Sequence, residues 1–154
     1  MTFTQLLTAL SEKLGLELVD EGGATALEID GITVVLQDAD EDLVLIHADL
    51  GEIPVDRRES LTRAALEANY LYQGTGGATL SINLTNGHLH LQRYNWLARI
   101  ETEKAVDVLE RFAETAVQWQ SVLSAPLTDP AASNESSQTL DPTDLSLSSG
   151  YLRM

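Results

Sequence analysis

Between Phe3 and Leu123 the apolar residues change their spacing from helical to strand-like and back several times. That order of elements restricts the fold more than any single residue does. Thr2 and Gln5 have capping-box spacing, and Phe3, Leu6, Leu7, Leu10 and Leu14 then recur on one helical face until Gly15. Three strand-like runs follow: Leu16 to Val19 leading to Ala26 to Asp30, then Ile32 to Gln37, then Leu43 to Asp49. Asp30-Gly31 is the dipeptide of a tight hairpin. Asp56 and Glu59 have the spacing of a second capping box, opening a helix that keeps Leu61, Ala65, Ala68 and Tyr72 on one face and ends at the glycines between Gly74 and Gly77. Ala78 to Leu84 and His88 to Tyr94 flank Thr85-Asn86-Gly87 as a second hairpin, and a helix from about Thr102 to Leu123 carries Val106, Leu109, Ala113, Ala116 and Gln120. The order α-βββ-α-ββ-α predicts a single α+β domain over residues 1–124, a twisted antiparallel sheet packed by helices.

Beyond Ser124 the chain turns to Pro, Ser, Thr, Asn and Asp with scattered leucines, a composition unable to bury a core. Residues 125–154 are therefore expected to form a disordered tail, with the stretch around Leu140 to Leu152 as the part that could order on a partner.

Charge narrows the function. The chain of 154 residues has a net charge of -15, which argues against nucleic acid and anionic membranes, since both bind through Lys and Arg. From Glu12 to Asp56 there are thirteen acids and one base, Lys13, while Arg57, Arg58 and Arg63 gather just after. Such a face keeps a protein soluble and also attracts basic polypeptide. With no cysteine, disulfides and thiolate chemistry are excluded, and a reducing cytoplasm is expected. The opening MTFTQLLTALSEKLG lacks the basic start and long apolar stretch of a signal peptide, and no run approaches the roughly 20 apolar residues of a membrane span.

No motif supports catalysis. Asp38, Asp40 and Asp42 are spaced like the start of a calcium loop, but Leu43 stands where the turn glycine is needed and Asp49 where the bidentate Glu belongs. His88 and His90 share one strand face and could hold zinc; His47 is the only other histidine, and no carboxylate partner is evident. Gly74-Thr75-Gly76-Gly77 precedes a strand and lacks the Gly-Lys-Ser/Thr of a phosphate loop, so it reads as a helix end and turn. Glu101 and Glu103 at a helix start complement its dipole. Trp96 and Trp119 read as core anchors before partner contacts, and Tyr70 is ambiguous. The expectation is a binding protein without cofactor or metal.

Four strings carry a resemblance: the opening helix FTQLLTALSEKLGL, the strands ALEIDGITVVLQDADEDLVLIHADLGEIP, the helix and glycine turn LTRAALEANYLYQGTGGATLSI with Leu66, Asn69, Gly76 and Gly77, and the strand LHLQRY. Over residues 3 to about 123 the chain resembles the class I type III secretion chaperones of the Tir chaperone (CesT) family. The resemblance implies a homodimer in the bacterial cytoplasm that binds the extended N-terminal region of one or more secreted effectors and keeps them competent for the secretion ATPase. It implies a dimer interface on the second helix, here Leu61, Ala65, Ala68 and Tyr72, and cargo patches on the first helix and sheet, here Phe3, Leu7, Leu27, Ile29, Val34 and Leu36. A one-residue slip in strand parity would invert the sheet part of that set. The rival readings are an adaptor of the same fold for a folded or regulatory partner, and a small-ligand or metal-dependent enzyme using His47, His88 or His90.

Overall fold

A computed structural model describes residues 1–39 and 42–126, in which three helices accompany one five-stranded antiparallel sheet of order β1-β2-β3-β5-β4. The expected α+β architecture is therefore present.

Helix α1 (Phe3–Leu14) starts with the predicted capping box: Thr2 Oγ1 accepts the Gln5 N–H at 3.2 Å, and Gln5 Oε1 accepts the Thr2 N–H at 2.8 Å. It ends at Gly15, whose left-handed φ of 65° suits a residue without Cβ. Leu16 to Val19 do not form the expected strand. Leu18 instead donates its N–H to Ser11 Oγ at 3.1 Å, and Asp20 Oδ1 takes the Gly23 N–H at 2.7 Å, so the chain turns twice before entering β1 (Ala24–Ile29). Asp30 (φ 51°) and Gly31 (φ 79°) make the tight turn into β2 (Ile32–Asp38). Strand β3 (Leu43–Glu52) carries a register shift between Asp49 and Gly51, where Asp49 Oδ1 accepts the Gly51 N–H at 2.9 Å.

The second capping box does not form. Pro54, with φ -56°, leads into a 3-10 turn (Val55–Arg57), so helix α2 (Arg58–Asn69) is entered from a helical turn without the extended N-cap that a box requires. Arg57 acts elsewhere: its guanidinium donates to the carbonyls of Val122, Leu123 and Ala125 at 2.9, 2.8 and 2.5 Å, closing the last turn of helix α3 (Ala105–Ser124). After α2 the chain turns through Leu71 and Tyr72, where the Gln73 N–H is donated to the Tyr70 carbonyl at 3.3 Å, and leads to β4 (Thr79–Asn83) and β5 (His88–Trp96).

The sheet buries one face. Leu27, Ile32, Val34, Leu36, Val44, Ile46, Ala48, Leu89 and Leu91 meet α1 and α3 in a single core. On α3 the buried stripe is Leu109, Phe112, Ala113, Ala116, Trp119 and Leu123; Val106 is only half-buried and Gln120 is exposed, so the helix is rotated from the expected face. Trp119 donates Nε1–H to the Gly74 carbonyl at 2.9 Å. Gly74 lies so close to α2 that a Cβ placed on it would stand 2.7 Å from Ala68 Cβ. Asn69 closes the outer edge of β4, accepting the Leu80 N–H at 2.9 Å and donating to the Leu80 carbonyl at 3.0 Å.

Two stability outcomes follow from these contacts. Arg57→Ala should lower the unfolding free energy by about 1–2 kcal/mol, as read by urea denaturation, through loss of charge-assisted bonds to a helix end. The exposed Arg111→Ala should stay within about 0.5 kcal/mol. Gly74→Ala should cost about 1–3 kcal/mol from overpacking against Ala68.

Candidate functional site

Strand parity decides which side chains a partner can reach. The proposed cargo residues are brought together, but on the inner side: Phe3 and Leu7 on α1, and Leu27, Val34 and Leu36 on the sheet, all at most 6% exposed. Leu27 lies across from Val34, and Ile29, half-buried, across from Ile32. The outward set on these strands is instead Ala26, Glu28, Thr33, Val35 and Gln37.

What β1 offers outwardly is backbone. It pairs on one side only, with β2. The Gly23 carbonyl accepts the Asp38 N–H at 2.7 Å, and Ile29 is matched with Ile32 across the two-residue turn. Antiparallel alternation then turns the N–H and C=O of Ala26 and Glu28 away from β2, along an open edge. Beside it stand Leu16 and Val19, 50% and 54% exposed, over a cleft of about 310 Å³ lined by Glu17, Val19, Glu21, Thr25 and Ala26.

A second surface lies on α2. Of the expected interface residues, Leu61 and Ala65 are buried within the chain's own fold, Ala68 is half-buried beside Gly74, and Tyr72 is exposed. The exposed apolar residues are Val55, Leu66, Tyr70, Leu71 and Tyr72, each more than half exposed. Val55, Arg58, Thr62 and Leu66 line one shallow groove. The spacing Arg58, Thr62, Leu66, Tyr70 was present in the sequence as an i, i+4 row, hidden because Arg and Thr interrupt its apolar character. Leu71 (φ 51°) and Tyr72 (φ 56°) hold left-handed backbone that bulky residues rarely adopt, and this strain presents both side chains to solvent.

The histidines lie on the outer face of the sheet. His88 Nδ1 is 2.8 and 2.9 Å from the two Asp49 oxygens, and His90 Nε2 is 3.9 Å from Asp49 Oδ2. Asp49 is thus the carboxylate partner missing from the sequence reading, supplied by the β3–β5 register, in which it faces His90. Burial pushes the Asp49 pKa up, but bonds from His88 and the Gly51 N–H and the charges of His90 and His88 outweigh it and hold the pKa low. Burial, and then the neighbouring His90, lower the pKa of His47. Among the described residues no group of three or more His, Cys, Asp or Glu side chains is arranged to hold a metal ion. Asp40 lies outside the described residues, as does the tail from residue 127. Gly76 (φ 58°) and Gly77 (φ 89°) serve a turn into β4. Trp119 is a core anchor, as expected, whereas Trp96 is half exposed on β5.

No described helix is long and apolar enough to cross a membrane. The same topology occurs in solved structures. A chain of the ExsC–ExsE complex matches with TM-score 0.64 at 21% identity, covering 80% of this chain and 97% of its own. The Yersinia pestis type III secretion chaperone SycH, solved with a fragment of YscM2, matches with TM-score 0.63 at 21% identity over 76% and 98%. A chain of the HopA1–SchA chaperone–effector complex gives TM-score 0.60 at 18% identity over 79% and 91%. No curated protein sequence matches this chain. The sequence profile of the Tir chaperone protein (CesT) family matches residues 5–120. With that match spanning more than half of the chain, on a fold shared with these neighbours, the chain belongs to the Tir chaperone protein (CesT) family.

Proposed function

We propose that this chain is a homodimeric type III secretion chaperone of the bacterial cytoplasm that holds the extended N-terminal region of a secreted effector, keeping it soluble and available to the secretion ATPase. The observation that carries this reading is the open edge of β1. An unfolded segment brings unpaired backbone and apolar side chains, and the edge at Ala26 and Glu28 meets the first while Leu16 and Val19 meet the second. The surrounding acids, thirteen against one base between Glu12 and Asp56, favour a basic segment. Phe3, Leu7, Leu27, Val34 and Leu36 support this edge from the core, and Ile29, half-buried on β1, is the one of the six that an added strand would meet.

The homodimer is supported by α2. Val55, Leu66, Tyr70, Leu71 and Tyr72 form an exposed apolar row of the kind that a two-fold contact covers with its own copy, with Leu61 and Ala65 holding the helix in place from inside.

Leu66→Asp should convert a dimer to a monomer in light scattering with little loss of helix content. Leu61→Ala should instead cost about 2–5 kcal/mol of stability, as expected of a core residue. Ala26→Pro removes an outward N–H and is tolerated on an edge. Measured by titration calorimetry with effector N-terminal segments from the same genome, it should weaken binding about tenfold or more while the dimer persists. A monomeric wild type that ignores every segment would overturn the reading.

A further inference from the structure

Strand β5 outruns its neighbour. β4 stops pairing at Thr79 opposite Gln92, whereas β3 continues to Leu43 opposite Trp96. The last four residues of β5 therefore have a partner on one side only. Leu97 donates its N–H to the Asp42 carbonyl at 2.7 Å, and alternation from that bond turns the N–H and C=O of Tyr94 and Trp96 away from β3, along the line that β4 vacates. Among the described residues no turn, cap or side chain supplies them with a hydrogen bond. The vacated space is a cleft of about 340 Å³ between this strand end and the start of α3.

Its charge is opposite to that of the acidic stretch from Glu12 to Asp56. Three of the nine Lys and Arg of the chain, Arg93, Arg99 and Lys104, line it, and Glu101 is its one acid. Glu101 is taken up by Lys104, at 2.6 Å, and Asp107 and Glu103 act on the same ammonium. Arg93 reaches the Gly76 carbonyl only at 3.4 Å, and Arg99 makes no ion pair among the described residues. Asn95 adds a buried Nδ2 donor without an acceptor, a group that normally finds a partner. Ile100 and Val108 supply apolar walls.

We infer that the open end of β5 is a second strand-addition site, which takes an extended acidic segment of a partner protein. The segment continues the line of β4, exchanging backbone bonds with Tyr94 and Trp96 while its carboxylates meet Arg93, Arg99 and the Asn95 amide. The site stands apart from the β1 edge and has the opposite charge preference, so it does not depend on the function proposed above.

The test uses the full chain and three fluorescein-labelled decapeptides: alternating Val and Asp, alternating Val and Lys, and the Val–Asp peptide N-methylated at alternate amides. Fluorescence anisotropy should show the Val–Asp peptide binding, with weakening in 0.5 M salt and loss on N-methylation. Arg99→Glu should weaken it by about tenfold, the effect of a lost charge-assisted bond, and leave the Val–Lys peptide unchanged. Tyr94→Pro should act like the N-methylated peptide, and Ala26→Pro should spare the Val–Asp peptide, separating this site from β1. Indifference of the Val–Asp peptide to Arg99→Glu and to N-methylation, or no binding at millimolar peptide, would overturn the proposal. A fall in oligomeric state in Arg99→Glu would also overturn it, by showing that a second copy of the chain fills the cleft.

Discussion

The pairing of β3 with β5 joins two hairpin units that lie far apart in the chain. The first half builds β1, β2 and β3 by local turns, and the second builds β4 and β5 around Gly87; only the ladder from Leu43–Trp96 to Glu52–His88 makes them one sheet. Closing that long loop costs entropy before any contact is gained, so both hairpins must present matching apolar faces for it to succeed. They do: Ala48 meets Leu91, and Leu91 meets Leu80 on the covered face. The same ladder sets Asp49 against His88 and His90 and runs on past β4, so that the end of β5 is paired on one side only.

A five-stranded open sheet has two edges, and this protein treats them differently. The β4 edge is blunted by Asn69, whose amide takes both backbone groups of Leu80. The β1 edge is left open among acids, beside Leu16 and Val19. An unpaired edge is normally an aggregation hazard, and retaining one fits the strand addition proposed above. On that proposal the acidic surface keeps the complex soluble.

Much of the fold was legible because it rests on local chemistry. The Thr2–Gln5 capping box, the Gly15 helix end and the Asp30-Gly31 hairpin each use residues whose backbone preference decides the conformation within a few positions. The Asp56–Glu59 box had the same local signal and failed, because Pro54 set a 3-10 turn in front of it and Arg57 was drawn to the end of α3. Leu16 to Val19 read as strand by composition, yet hydrogen bonds accepted by Ser11 and Asp20 bent the chain first. The surfaces were less legible than the elements. Leu27, Val34 and Leu36 alternate as a strand face should, but alternation alone does not say which face is covered.

By itself the sequence determined the order of elements, the acidic surface, the absence of thiol chemistry and the family, because periodicity, charge and local turn residues are properties of the chain before it folds. Tertiary structure alone decided that Leu61 and Ala65 look inward while Leu66 and Tyr70 look outward, that Trp96 is exposed while Trp119 is not, and that Asp49 stands beside two histidines. Each of those outcomes depends on where α1, α2 and α3 settle against the sheet and on the register between strands about 40 residues apart, a choice made by packing among distant segments, which no local preference encodes.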